Sequence, residues 1–396
     1  MQITQRLQAL RGSPTTQVMQ LANELKRKGV KVYDFGVGEP DFPTPEPIKE
    51  AARQAMAKNL TKYTASRGVV ELRQAVADRY NRAYGATYGP QNVVICAGAK
   101  QALYNLALAL VEPGDEVLIP APYWVSYPAL VQLAGGTSVF VEVDEASGFQ
   151  LKPRDIEQGL TPKTRLILLN SPCNPTGAVI AQEDLKEITA LAAKRNIPLI
   201  YDECYECFVY GRKHGNPLQW DRQHVIAVGS ASKTYAMTGW RIGWAVGPAD
   251  VMDAIDRLQS QSTSNPTSIA QWAVVEALRG DQSPVEVMRL EYERRLKLVL
   301  QSLGQIQGLT CPRPYGAFYV FPNVSAFFSD EVPDSAALAK FLLEDAHVAV
   351  VPGSGFGAEG HIRISYAAPE DVLQEGLTRM GQTLHKLLEP SKALRK

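Results

Sequence analysis

HVIAVGSASKTYAMTGWRIGWAV, residues 224–246, sets two short apolar runs on either side of a polar loop. HVIAVG at 224–229 has the length and near-continuous apolar character of a strand buried on both faces, and IGWAV at 242–246 reads as another. Between them stand Ser230, Ser232, Lys233 and Arg241. The carboxyl end of a strand in an open α/β sheet is where such folds bind ligands. Most lysines are solvated surface charges. One that is partly desolvated beside other cations has a depressed pKa and can attack a carbonyl to form a Schiff base.

Outward from this stretch, VVICA (93–97), EVLIP (116–120), RLILLN (165–170) and IPLIYD (197–202) are further strand candidates. Amphipathic stretches such as QALYNLALALV (101–111) and QEDLKEITALAAKRN (182–196) lie between them. Strand and helix in alternation imply an α/β fold, a doubly wound, mostly parallel sheet covered on both faces. After about residue 283 the texture changes. The charged helical stretch at 284–303 precedes AFYVF (317–321), HVAVV (347–351), HIRISY (361–366) and a last helix, which reads as a smaller α+β domain. The Pro-rich EPDFPTPEP at 39–47 is a hinge or crossover, with Thr44 expected as a helix N-cap before Pro45.

The 396 residues suffice for two or three domains. Acidic and basic residues balance at 41 each, which removes any electrostatic argument for nucleic acid or an anionic membrane. Five cysteines without framework spacing fit a reducing compartment. Cys204 and Cys207 form a CxxC, but no second ligand pair suits zinc and no thioredoxin-like setting surrounds them, so they read as packing residues. MQITQRLQALRG at the N-terminus lacks an apolar signal core, and the expectation is a soluble cytoplasmic protein. GSGFG at 353–357 lacks the GxGxxG spacing of a dinucleotide turn, and SKT at 232–234 lacks the frame of a phosphate-binding loop.

Several local features converge on one ligand. Gly98-Ala99-Lys100 follows a strand and opens a helix, so its N–H groups suit phosphate. Asn174, in SPCNPTG, can address a ring hydroxyl, and Asp202 at a strand end requires a cationic partner to stay ionised. A protonated pyridine nitrogen is such a partner. Each has an ordinary reading too: a tight turn, a loop breaker, a structural salt bridge.

In order along the chain, VGEPDF (37–42), TKYTASRGVVELR (61–73), GAKQALYN (98–105), PYWVSYP (122–128), NSPCNPTGAV (170–179), DECYE (202–206), SASKTYAMTGWRIG (230–243), QSTSNPTSIAQWA (261–273) and HIRISYA (361–367) resemble the class I, fold-type I, pyridoxal-phosphate aminotransferases, above all the bacterial aspartate enzymes. The resemblance implies that Lys233 holds pyridoxal 5′-phosphate covalently and later carries the substrate Cα proton. It implies that Asp202 pairs with the pyridine nitrogen, Asn174 and Tyr205 bond the ring oxygen, and Trp124 stacks on the ring. Phosphate would be held by the Gly98, Ala99 and Lys100 amides, Ser230, Ser232, Arg241 and Tyr63, the last from a second subunit of a homodimer. Arg363 would clamp the substrate α-carboxylate with help from Gly38. The matched threonine Thr15 and Lys100 would face the distal group of the substrate.

The implied reaction is ping-pong transamination of L-aspartate with 2-oxoglutarate. An aromatic, prephenate or broad-specificity aminotransferase is the alternative, and a lyase or synthase on the same scaffold shares the same lysine, aspartate and arginine. The expected division is a large domain at 46–284 and a small one from 1–45 and 285–396. Ala121-Pro122 and Asn174-Pro175 are expected cis bonds by the same likeness. Cys173 and Cys204 depart from the family's usual residues, which raises the expectation of oxidation-sensitive activity.

Overall fold

A computed structural model describes residues 1–10, 12 and 14–388. Seven strands form its main sheet: β1 Val93–Cys96, β2 Glu116–Ala121, β3 Thr137–Glu142, β4 Thr164–Asn170, β5 Leu199–Asp202, β6 Val225–Ser230 and β7 Gly243–Val246. Their order is β1-β7-β6-β5-β4-β2-β3. β7 runs antiparallel to both neighbours, while β6, β5, β4, β2 and β3 pair in parallel. The sheet is the mostly parallel, doubly wound α/β arrangement that the alternation predicts.

The near-continuous apolar strands are explained by two buried faces. In β4, Ile167 and Leu169 join a core containing Leu199, Tyr201, Val225, Ala227 and Trp244, packed with Leu72, Val76 and Ile188 from helices Val70–Tyr84 and Gln182–Lys194. Leu166 and Leu168 join the opposite core, with Ile200, Ile226 and Val228 under Leu103 and Leu106 of helix Ala99–Leu110 and Met252 and Ile255 of helix Ala249–Ser262. Each such side chain stabilises the fold by roughly 1.5–3 kcal/mol relative to leaving it in water. Alternation along each strand therefore locks the helices onto both sides.

A second, antiparallel sheet is built from β8 Tyr319–Val320, β9 Val351–Pro352 and β10 Ile362–Ser365 in the order β9-β10-β8. Its core gathers Phe318, Val320, Ile362 and Ile364 with Leu296 and Val299 of helix Ser283–Leu303 and Leu377 and Met380 of helix Glu370–Leu388. Tyr33 and Phe35 from the N-terminal part join the same core. There Tyr33 and Asp34 pair in parallel with Val348 and Ala349.

Two local expectations are corrected. Strand β3 was not anticipated: Thr137, Ser138 and Glu142 make it polar at both ends, and it sits at the sheet edge, where one flank needs no apolar run. Thr44 is not the N-cap, since helix Glu46–Ala57 begins one residue later with Pro45 in that position. The Thr44 hydroxyl instead donates to the Ala236 carbonyl at 2.6 Å and accepts from Trp240 Nε1 at 3.2 Å. Ala121-Pro122 and Asn174-Pro175 are cis, as is Ser171-Pro172. Among the described residues, no helix is long and apolar enough to cross a membrane.

Candidate functional site

Strand register gathers the chemistry at one sheet edge. Asn170 pairs with Asp202 across β4 and β5, and Gly243 pairs with both Cys96 and Ser230. β7 is antiparallel, so its first residue lies beside the last residues of β1 and β6. The turn after β1, the end of β6 and Arg241 just before β7 therefore meet. Two glycines make the approach feasible. Gly98 has φ +85°, and a Cβ there would stand 2.5 Å from Arg241 Nη2. A Cβ on Gly243 would run into the backbone of Gly98 and Ala99.

These elements line a cleft of about 1090 Å³, including its open mouth. Lys233 lies on the short helix Ala231–Thr234, which Ser230 caps by accepting from Ser232 N at 3.2 Å. Its ammonium donates to the Gly38 carbonyl. Burial pulls the Lys233 pKa down from 10.5 to about 8, with Arg363 and Arg241 pushing the same way and Cys204 and Glu39 opposing. A substantial neutral fraction near physiological pH is what a nucleophilic or proton-carrying amine needs.

Asp202 is buried, and desolvation raises its carboxyl above the ordinary range. Tyr127 donates to Oδ2 at 2.8 Å and Cys204 N to Oδ1 at 3.1 Å, which pull the other way without reversing the shift. A buried carboxylate left with neutral donors suits an incoming cation. Arg241 has φ +57° and donates to the Thr238 carbonyl at 2.9 Å and the Ala97 carbonyl at 3.4 Å. No carboxylate ion pair to it is found among the described residues, so beside the amides that open helix Ala99–Leu110 it offers a site suited to an anion.

Arg363, in β10, is 2 % exposed. It donates to Asn174 Oδ1 at 3.0 Å and the Gly36 carbonyl at 2.7 Å, lies over the Tyr319 ring, and leaves Nε without a partner. A buried guanidinium with no carboxylate partner among the described residues is costly unless a ligand supplies the anion. Gly38 lies close by: a Cβ there would meet Tyr319 Oη and approach Arg363. In the same cleft Lys100 Nζ lies 4.9 Å from the centroid of the Trp124 ring, its pKa lowered by burial and by Arg241.

The cleft thus brings together Gly38, Ala99, Lys100, Trp124, Asn174, Asp202, Tyr205, Ser230, Ser232, Lys233, Arg241 and Arg363, with Gly98 directly behind Arg241. The Tyr205 hydroxyl pairs with the Tyr319 hydroxyl at 2.8 Å. Tyr63 is not brought in: it is 92 % exposed and borders a separate hollow with Ser260, Ser264 and Asn265. Thr15 falls in helix Pro14–Arg27, and its side chain lies outside the described residues. Tyr127 and Tyr319 were missed by sequence reasoning. Their signal was weak, one aromatic among several in PYWVSYP and AFYVF.

A family profile for aminotransferases of class I and II matches residues 30–380. The chain belongs to this family. The enzyme is 43 % identical over 396 residues to an aspartate aminotransferase of Geobacillus stearothermophilus, covering 98 % of this chain and 99 % of that one. It is 44 % identical over 385 residues to the aspartate/prephenate aminotransferase of Thermus thermophilus, covering 96 % and 98 %. The solved Thermus thermophilus aspartate aminotransferase with maleate superposes with a TM-score of 0.93 at 43 % identity, over 97 % of this chain and all of that one. The enzyme is a pyridoxal-phosphate-dependent aminotransferase of fold type I. The three requirements of that cofactor, an anion cradle, a buried carboxylate and a lysine of lowered pKa, are each met in the cleft.

Proposed function

We propose that the enzyme transfers the amino group of L-aspartate to 2-oxoglutarate, giving oxaloacetate and L-glutamate by a ping-pong cycle. The observation that carries this reading is that one cleft is lined by Lys233 and by two further cations from separate elements, Arg363 in β10 and Lys100 in helix Ala99–Leu110. A dicarboxylate entering a desolvated site needs a cation at each end. Arg363 takes the α-carboxylate through its planar fork. Lys100, with Thr15 in the same role, takes the distal one. The names of the relatives, aspartate and aspartate/prephenate aminotransferases, point the same way.

Bound pyridoxal phosphate supplies an electron sink that makes the substrate Cα proton removable. The chain's own groups do the rest. The amides of Gly98, Ala99 and Lys100 and the side chains of Ser230, Ser232 and Arg241 would hold the phosphate; Asp202 would keep the pyridine nitrogen protonated, Asn174 and Tyr205 would bond the ring oxygen, and Trp124 would pack on the ring. Lys233 Nζ, whose pKa burial lowers to about 8, would be the base that takes the substrate Cα proton and later gives it up as an acid. Tyr63, exposed on its own chain, serves the phosphate of a partner subunit in a homodimer. The working division is a large part at 46–284 and a small part formed by 1–45 and 285–396, in the cytoplasm.

A panel of amino donors against 2-oxoglutarate, with prephenate as an alternative acceptor, tests the substrate. Aspartate should give the highest kcat/KM, and Lys100→Ala should raise KM for dicarboxylates more than for phenylalanine. An aromatic donor or prephenate outranking the dicarboxylates would overturn the aspartate reading. Absence of donor turnover with 2-oxoglutarate would favour a lyase or synthase on this scaffold.

A further inference from the structure

Away from the cleft, one carboxylate collects three donors from distant parts of the chain. Glu145 lies just past β3, in the turn Glu145–Ser147. It accepts from Asn323 Nδ2 at 2.7 Å, His361 at 3.1 Å and Thr310 Oγ1 at 3.2 Å. Thr310, Asn323 and His361 are themselves neighbours through the isolated bridges Thr310 to Asn323 and Asn323 to His361. The carboxylate thus ties the edge of the main sheet to the end of the second one.

His361 immediately precedes β10, two residues before Arg363, so the two side chains emerge on the same side of the extended chain. The His361 ring stacks on Phe321 at 4.9 Å and 7°, Phe321 meets Phe356 edge-on at 5.8 Å, and Phe356 lies 5.3 Å from the Arg363 guanidinium. His361 Nδ1 is buried without a partner, so Nε2 is the nitrogen that carries the proton toward Glu145. A continuous path of packed rings, one pair stacked and one edge-on, runs from Glu145 to the arginine.

We propose that Glu145, through His361 and this stack, is a positioning residue that holds the Arg363 strand against the main sheet and thereby sets affinity for substrate carboxylates. The inference rests on Arg363 being the carboxylate clamp. Neither Glu145 nor His361 reaches the cleft, so their effect falls on binding rather than on proton transfer.

The holoenzymes Glu145→Gln, His361→Gln and Arg363→Lys and the double variant E145Q/R363K are compared in three measurements: the Kd of the non-reacting dicarboxylate maleate, KM and kcat for aspartate and 2-oxoglutarate, and thermal unfolding. E145Q and H361Q should each raise the maleate Kd and both KM values by about ten-fold while kcat stays within about two-fold. The double variant should bind maleate about as R363K does, because the two changes act on one interaction. If E145Q does not fold, H361Q carries the same expectation. Unchanged Kd and KM with only a lower Tm would make the cluster merely structural and overturn the proposal. Unchanged binding in R363K would instead overturn the clamp reading itself.

Discussion

Lys233 is charged in most proteins' sense only below about pH 8, because burial removes the water that would stabilise its ammonium. In the cofactor-free protein, labelling of this amine should titrate near pH 8 rather than near 10.5. A midpoint at the ordinary value would remove the desolvation argument. The sign for stability follows: between about 8 and 10.5 the unfolded chain binds more protons at this residue than the folded one, so this group makes the apoprotein more stable as pH rises through that window. Asp202→Asn removes the anion facing the pyridine nitrogen while keeping the side-chain size. It should lower kcat by roughly 10²–10³-fold with little change in Tm, read by steady-state kinetics beside a melting curve. Cys173 and Cys204 are pushed upward by burial, so little thiolate is present at neutral pH. Alkylation at pH 7 should therefore leave most activity, against the oxidation sensitivity expected from their positions. Lys233 and Asp202 were marked in the sequence because each is a charged residue at an apolar strand, a local conflict visible in the chain itself, whereas Arg363, an alternating polar position in HIRISY, was singled out only through the family resemblance. Tyr127 was not, since its partner Asp202 lies 75 residues away and nothing local marks the pairing.

At the scale of elements, six of the seven main strands were legible from their apolar runs, and β3 was not. It is held instead by pairing with β2 along its whole length and by Phe140, whose ring stacks on Tyr123 at 4.6 Å. Direction was also illegible: periodicity gives a strand its faces but not its sense, so the antiparallel course of β7 emerges only from the pairing. That course is what Gly243 protects. Gly243→Ala puts a methyl group against the Gly98 and Ala99 backbone, which cannot yield as a side chain can. Cofactor affinity should fall by more than about ten-fold, measured by equilibrium dialysis of pyridoxal phosphate, while the second sheet and its core stay intact by circular dichroism. Binding equal to the unsubstituted enzyme would mean that the turn and β7 are less tightly coupled than the geometry indicates.

Over the whole molecule, the single chain supplies every proposed cofactor contact except Tyr63, which is exposed and does not line its own cleft. A symmetric dimer with shared sites makes a definite forecast. In a dimer of Tyr63→Ala with Lys233→Ala, one site holds both lesions and the other holds neither. Random mixing should therefore restore about a quarter of the unsubstituted activity from two poorly active parents. No recovery, with subunit exchange verified by mass, would count against sharing. The Glu145 cluster was not legible in the sequence, because it depends on how remote segments are brought side by side. The sheet order carries one more consequence, for biosynthesis. β1 is an edge strand whose only partner in the sheet is β7, the last of the seven to be made. A nascent chain therefore cannot dock the Gly98 turn beside Ser230 through the sheet until β7 has been made, and more than a hundred residues are still to be added at that point before the arginine of the second sheet.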